Sequence, residues 1–164
     1  MQNSKIITSE LKLEQLSKKF KKQGKKIILC HGVFDLLHIG HIKYLYESSK
    51  KGDVLFVTIT ENSFVDKTPE RPFFSNSDRV EAISALDCVS FVMLNKSKTA
   101  VNVIKILKPD FYCKGPDYKN YKNDLTGEIK NELKILKLIG GKFYITNTPT
   151  YSSSSLLNNN FNTY

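Results

Sequence analysis

The chain has few cysteines and no long apolar run, and both shortages narrow its class. Cys30, Cys88 and Cys113 are its only thiols. Their odd number argues against a disulfide framework, and none has the spacing of a metal cluster. Cys30 and Cys113 fall in apolar, strand-like runs, where a buried thiol is expected. No apolar stretch approaches the roughly 20 residues that cross a bilayer. The opening MQNSKIITSE lacks the apolar core of a secretory leader. A cytoplasmic protein without a membrane partner is the expectation. No linker and no internal repeat divides the 164 residues, which read as one domain long enough to bury a core. Residues 1–25 are expected to hold an N-terminal helix, 26–158 the core and 159–164 a polar tail.

What the chain has in excess is positive charge, +9 in total. Nucleic acid, a membrane surface and a small polyanion are the partner classes such a charge allows. The lysines are spread over helical stretches, with Lys18, Lys19, Lys21, Lys22, Lys25 and Lys26 early and Lys130, Lys134 and Lys137 late. That scatter reads as a solvated helix surface. Nothing has the pattern of a nucleic-acid module, so no nucleic-acid partner is expected.

Hydrophobic patterning alternates between strand and helix. Ser9 is a candidate N-cap for a helix in which Leu13, Leu16 and Phe20 share a face and Gly24 ends the run. Strands are expected at 26–30, 54–60, 89–94, 111–113 and 142–146. Between them lie helices running to about Ser49, starting at Ser77 or Asp78, spanning 100–107, and carrying Leu125, Ile129, Leu133 and Leu136 on one face. Residues 61–74 hold two prolines and read as a loop, as does the polar and aromatic stretch 117–123. A last helix is expected to open near Ser153. Five strands alternating with helices, the second continuously apolar, predict a single-domain, doubly wound, five-stranded parallel α/β sheet of Rossmann-like form.

The stretch HGVFDLLHIGH, from His31 to His41, sits where the first strand ends and a helix begins. In an open α/β sheet ligands bind at that place, and backbone N–H groups at a helix start favour an anion. His38 and His41 are three apart, so their side chains share a face, and Gly40 lets a ligand approach the backbone. No third ligand lies near, which argues against a dedicated zinc site.

These residues resemble the signature of the cytidylyltransferase-like branch of the nucleotidyltransferases. The nearest resemblance is to heptose 1-phosphate adenylyltransferases and glycerol-3-phosphate cytidylyltransferases. It runs from about Lys26 to about Asn158. The resemblance implies transfer of a nucleoside monophosphate from ATP or CTP to a phosphorylated sugar or polyol, with pyrophosphate released and Mg²⁺ accompanying the triphosphate. It implies that His38 and His41 contact the triphosphate, and that Gly32, Val33 and Phe34 supply backbone contacts beneath the nucleotide. Asp35 either fixes the turn or touches substrate.

In DKTPERP, Lys67 resembles the lysine that reaches the phosphates in heptose adenylyltransferases, with Arg71 four residues on at the acceptor side. Arg79 resembles a helix arginine near the substrates. Lys114-Gly115-Pro116-Asp117-Tyr118 resembles a KGGDY segment of the base or ribose pocket, with Pro116 in place of the second glycine. That proline removes an N–H that relatives would have there. Ser152, Ser153 and Ser154 occupy the place of a serine/threonine run that opens the last helix and cradles phosphate. Cytidylyltransferase relatives often carry an arginine before this run; here Thr150-Tyr151 stands instead, which favours the sugar-phosphate reading over glycerol phosphate. Relatives of this kind are often homodimers. Surface polysaccharide precursor synthesis is the expected setting.

Overall fold

The computed structural model describes residues 4–65, 71–123 and 128–149. Its elements, in chain order, are β1 (Ile6–Ile7), α1 (Glu10–Lys22), β2 (Ile27–Gly32), α2 (Ile39–Ser49), β3 (Val54–Thr60), α3 (Asn76–Ser84), β4 (Phe91–Asn95), α4 (Val101–Leu107), β5 (Phe111–Lys114), α5 (Glu128–Leu138) and β6 (Lys142–Ile145). All strands are parallel, in the order β1-β4-β3-β2-β5-β6.

Alternate residues of the central strands explain the layers, since successive side chains point to opposite faces. Ile27 and Leu29 of β2 face one way with Phe56 and Tyr112, and meet Leu13 and Leu16 of α1, Val103 and Ile104 of α4, and Ile129 and Leu136 of α5. Ile28 and Cys30 face the other way with Leu55, Val57 and Cys113, and meet Tyr44 and Leu45 of α2 and Val80 and Ile83 of α3. With both faces covered, β3 is buried at every position, as its unbroken run of apolar residues requires. No described helix is long and apolar enough to cross a membrane.

Among the described residues the sheet has six strands, where five were expected. The extra one, β1, is two residues long and lies against the open edge of β4, with Ile6 opposite Val92 and Ile7 opposite Met93. So short a strand has no periodicity to read, and only the free edge of β4 makes it one. Other departures are at element ends. Helix α3 starts earlier than expected, because Ser75 and Asp78 form a capping box in which each side chain takes the other's backbone N–H. Residues 62–64 and 116–123, read as loop, fold into 3₁₀ turns. β2 runs two residues beyond its apolar core, pairing His31 with Thr58 and Gly32 with Ile59.

Strand order reverses at β2. The chain leaves it through α2 toward β3 and β4, then returns to its other side as β5 and β6. The carboxyl ends of β2 and β5 therefore diverge into loops running opposite ways, which opens a crevice there.

Candidate active site at the carboxyl edge of β2

His38 caps α2 with its own ring. Its Nδ1 accepts the N–H of Gly40 at 3.1 Å. A nitrogen that accepts carries no proton, so in the neutral ring the proton sits on Nε2, which is a donor. Burial holds the His38 pKa below its ordinary value, so this neutral donor form prevails at physiological pH. His41, one turn on, lies against it, with ring centroids 3.9 Å apart and planes 25° from parallel. Phe34 backs the pair, its ring 5.4 Å from that of His41 and 6.4 Å from that of Tyr44. Phe34 has φ of 50°, a left-handed conformation that costs a residue with a Cβ about 1 kcal/mol or more. Gly32 permits this: a Cβ there would stand 3.1 Å from the Phe34 ring.

Three cations from three parts of the chain fix the end of β2 and the segment after it, at alternate residues. Lys114, at the end of β5, donates its ammonium to the His31 carbonyl at 3.1 Å. Arg79, on α3, donates Nη1 to the Val33 carbonyl at 2.5 Å. Arg71 donates Nη1 to Asp35 Oδ2 at 2.9 Å. The Lys114 pairing is buried and the two arginine pairings are partly so, which makes each worth more than an exposed contact of the same length.

These contacts define what each side chain does in this structure. Asp35 fixes the turn: its second oxygen accepts the Phe74 N–H at 3.1 Å, so the carboxylate ties residues 71–74 to the β2 loop. Arg79 is turned inward, 1 % exposed. Its Nη2 also donates to the Thr60 carbonyl at 2.8 Å, to Asn76 Oδ1 at 2.9 Å, and to Asn62 Oδ1. It joins the ends of β2 and β3. Lys114 is likewise buried, its ammonium 4.6 Å from the Tyr118 ring centre and 5.2 Å from that of Tyr112. Aromatic faces stabilise a cation held out of water. Gly115 lets the Asp117 carboxylate fold back, since a Cβ there would lie 2.6 Å from Asp117 Oδ1.

The structure therefore brings Gly32, Val33, Phe34, Asp35, His38, Gly40, His41, Arg71, Arg79 and Lys114 into one connected edge, with Gly115, Asp117 and Tyr118 following Lys114 directly. Lys67 and Ser152, Ser153 and Ser154 lie outside the described residues. His31, Asn62 and Asn76 were not singled out from the sequence. His31 is buried, with Nδ1 3.0 Å from Thr58 Oγ1 and Nε2 3.5 Å from Thr60 Oγ1. Burial, then the charge of Lys114, lowers its pKa to about 4. A histidine inside a strand, one residue past an apolar run, was the signal for it. Among the described residues, no group of three His, Cys, Asp or Glu side chains is placed to hold a metal ion.

Comparison with known proteins places the chain in a family. The family model described as Cytidylyltransferase-like matches residues 29–159. The "Bifunctional protein HldE" of Aliarcobacter butzleri (strain RM4018) is 39 % identical over 143 residues, which is 85 % of this chain and 29 % of that protein. Its counterpart in Helicobacter pylori (strain G27) is 35 % identical over 138 residues, again 29 % of its length. The chain thus spans less than a third of these curated relatives. The crystal structure of a lipopolysaccharide core biosynthesis protein from Thermoplasma volcanium GSS1 superposes with a TM-score of 0.64 at 32 % identity, covering 77 % of this chain and 100 % of that one. Through the residues matched from β2 onward, HxGH among them, the chain belongs to the cytidylyltransferase-like family of nucleotidyltransferases.

Proposed function

We propose that the chain acts as a single nucleotidyltransferase domain that joins the nucleoside monophosphate of ATP to a phosphorylated sugar, a heptose 1-phosphate or a close analogue. An oxygen of the acceptor phosphate attacks the α-phosphorus. The bond from that phosphorus to the bridging oxygen breaks, and pyrophosphate leaves. The nucleophile is already an anion, so the protein has no proton to remove. Its work is to hold two polyanions together and to offset charge on the pentavalent phosphorus. The observation that carries this reading is the stacked His38–His41 pair at the start of α2. Nδ1 of His38 accepts the Gly40 N–H, which puts the proton of the neutral ring on Nε2.

Lys67 and the serines at 152–154 are proposed as further phosphate contacts, and Lys114 to Tyr118 as the wall of the base or ribose pocket. Mg²⁺ is proposed to arrive with the triphosphate. The described side chains offer it no cage of their own. The Thermoplasma relative, by its description, serves lipopolysaccharide core synthesis, which supports a sugar phosphate as acceptor. Release of pyrophosphate from ATP, CTP, GTP and UTP, crossed with a panel of sugar, polyol and amino-alcohol phosphates, tests the proposal. Release that needs both ATP and a sugar 1-phosphate supports it. A requirement for CTP and glycerol 3-phosphate overturns the substrate assignment, and release from no pair overturns the activity.

A further inference from the structure

The lysines that look scattered along the chain converge in the fold. Every strand is parallel, so every connecting helix returns from the carboxyl edge of the sheet to its amino edge. Helix C-termini therefore gather on the side opposite the catalytic crevice. Contacts tie α1, α4 and α5 together: Ser17 Oγ, midway along α1, donates to the Leu107 carbonyl at the end of α4 at 2.6 Å. Gly141, just past α5, lies so near Pro109 that a Cβ on it would stand 2.6 Å from that carbonyl. Lys142 donates its N–H to the Asp110 carbonyl at 2.9 Å. Around these junctions Lys22, Lys26, Lys108, Lys134, Lys137 and Lys142 are all exposed.

Asp53 and Asp110 offset them only in part, two carboxylates against six lysines. Asp53 accepts the Lys26 backbone N–H at 2.7 Å and Asp110 that of Ile27 at 2.8 Å, so both hold the start of β2. Attraction to helix C-termini accounts for Lys22 and Lys137, each in the last turn of its helix. It does not account for Lys26 and Lys142, which lie outside helices, nor for Leu138. That leucine, between Lys137 and the turn at Gly140, is 74 % exposed, more than any other described large hydrophobic side chain.

We propose that this lysine edge is a docking surface for an anionic phospholipid bilayer. The ammonium groups meet lipid phosphates, and Leu138 enters the boundary between headgroups and acyl chains. An exposed leucine amid lysines suits a bilayer, whereas a nucleic acid offers it nothing to bury against. Docked this way, the carboxyl edge of the sheet faces away from the lipid, and the crevice stays open to water-borne substrates. The proposal is independent of which nucleotide the crevice takes.

Cosedimentation of the 164-residue protein with vesicles tests it. Binding is expected to mixed phosphatidylglycerol and phosphatidylethanolamine vesicles at low salt, with release at about 0.5 M salt, where charges are screened within a few ångströms. Pure phosphatidylcholine vesicles are expected to leave the protein in solution. K134E/K137E is expected to weaken partitioning at least about tenfold, whereas K96E/K98E, the same charge change on the carboxyl edge, leaves it within about twofold. L138S is expected to weaken binding several-fold without changing the salt slope, with circular dichroism confirming that all variants fold. The proposal is overturned by no binding to the phosphatidylglycerol vesicles at low salt, by equal losses in the two double variants, or by tighter binding to a single-stranded oligonucleotide that L138S does not affect.

Discussion

His38 lies face to face with His41, 3.9 Å between ring centres, while its Nδ1 closes the first turn of α2 on the N–H of Gly40. One side chain thus serves as helix cap and, under the proposed function, as a donor to the triphosphate. Replacing His38 or His41 by alanine is expected to lower kcat by about 10²–10³-fold, the usual loss when one donor to a developing charge is removed. H38N separates the two roles. Asparagine caps a helix well, so the thermal midpoint of H38N should stay near wild type while its turnover falls with that of H38A. Wild-type turnover in both alanine variants would remove the imidazoles from the mechanism.

Asp35 and Arg71 form an ion pair whose side chains are only 3 % and 7 % exposed. Removing one partner strands the other charge, at a cost of about 3 kcal/mol in similar settings. D35N and R71M should each destabilise the fold and loosen residues 71–74. The double variant should be less destabilised than the sum of the two. A double-mutant cycle by urea unfolding measures this coupling, and strict additivity would mean that the pair does not act as a unit.

Arg79 supplies donors to two carbonyls and two side-chain amides from three separate segments. R79K keeps the charge but cannot reach acceptors spread across a planar fork. The expected loss is about 3 kcal/mol, several charged hydrogen bonds being broken or strained together. If R79K unfolds like wild type but binds ATP poorly, Arg79 is a ligand contact and not a clamp.

His31 makes stability depend on pH. Its folded pKa of about 4 lies below the unfolded value near 6.5. As pH falls, the unfolded chain takes up a proton first. The contribution of His31 is therefore complete above about pH 6.5 and is lost progressively as pH falls toward 4. From pH 7 to pH 5 this amounts to about 2 kcal/mol. Asparagine at this position does not titrate, so unfolding of H31N at the two pH values should show a correspondingly smaller difference than wild type. An unchanged difference would place the acid-labile group elsewhere.

Lys67, beyond the described residues, is expected to act through its charge. K67A should raise the KM for triphosphate about tenfold or more, since a charge-assisted contact is worth about 1.5–3 kcal/mol. K67R should recover part of that loss in a steady-state assay. Unchanged kinetics in K67A would move the phosphate contact to another residue.

The strands were legible because a doubly covered parallel sheet needs continuous apolar runs, and β3 was bounded correctly on that ground alone. HxGH was legible because a histidine pair with a glycine between, directly after a strand, is rare outside ligand-binding turns. Strand β1 was not, since two residues carry no period. Nor was the work of Arg71, Arg79 and Lys114. A basic residue near a site reads as a ligand contact until its partners are known, and those partners lie 36, 46 and 83 positions away in the chain.

Local chemistry therefore determined the alternation of elements and the place of the histidine pair, because propensity, periodicity and motif spacing act over a few neighbouring residues. Tertiary structure alone decided which cations face inward to brace residues 31, 33 and 35, and which lysines share one edge. Both follow from strand order, and strand order is chosen by packing between segments far apart in sequence.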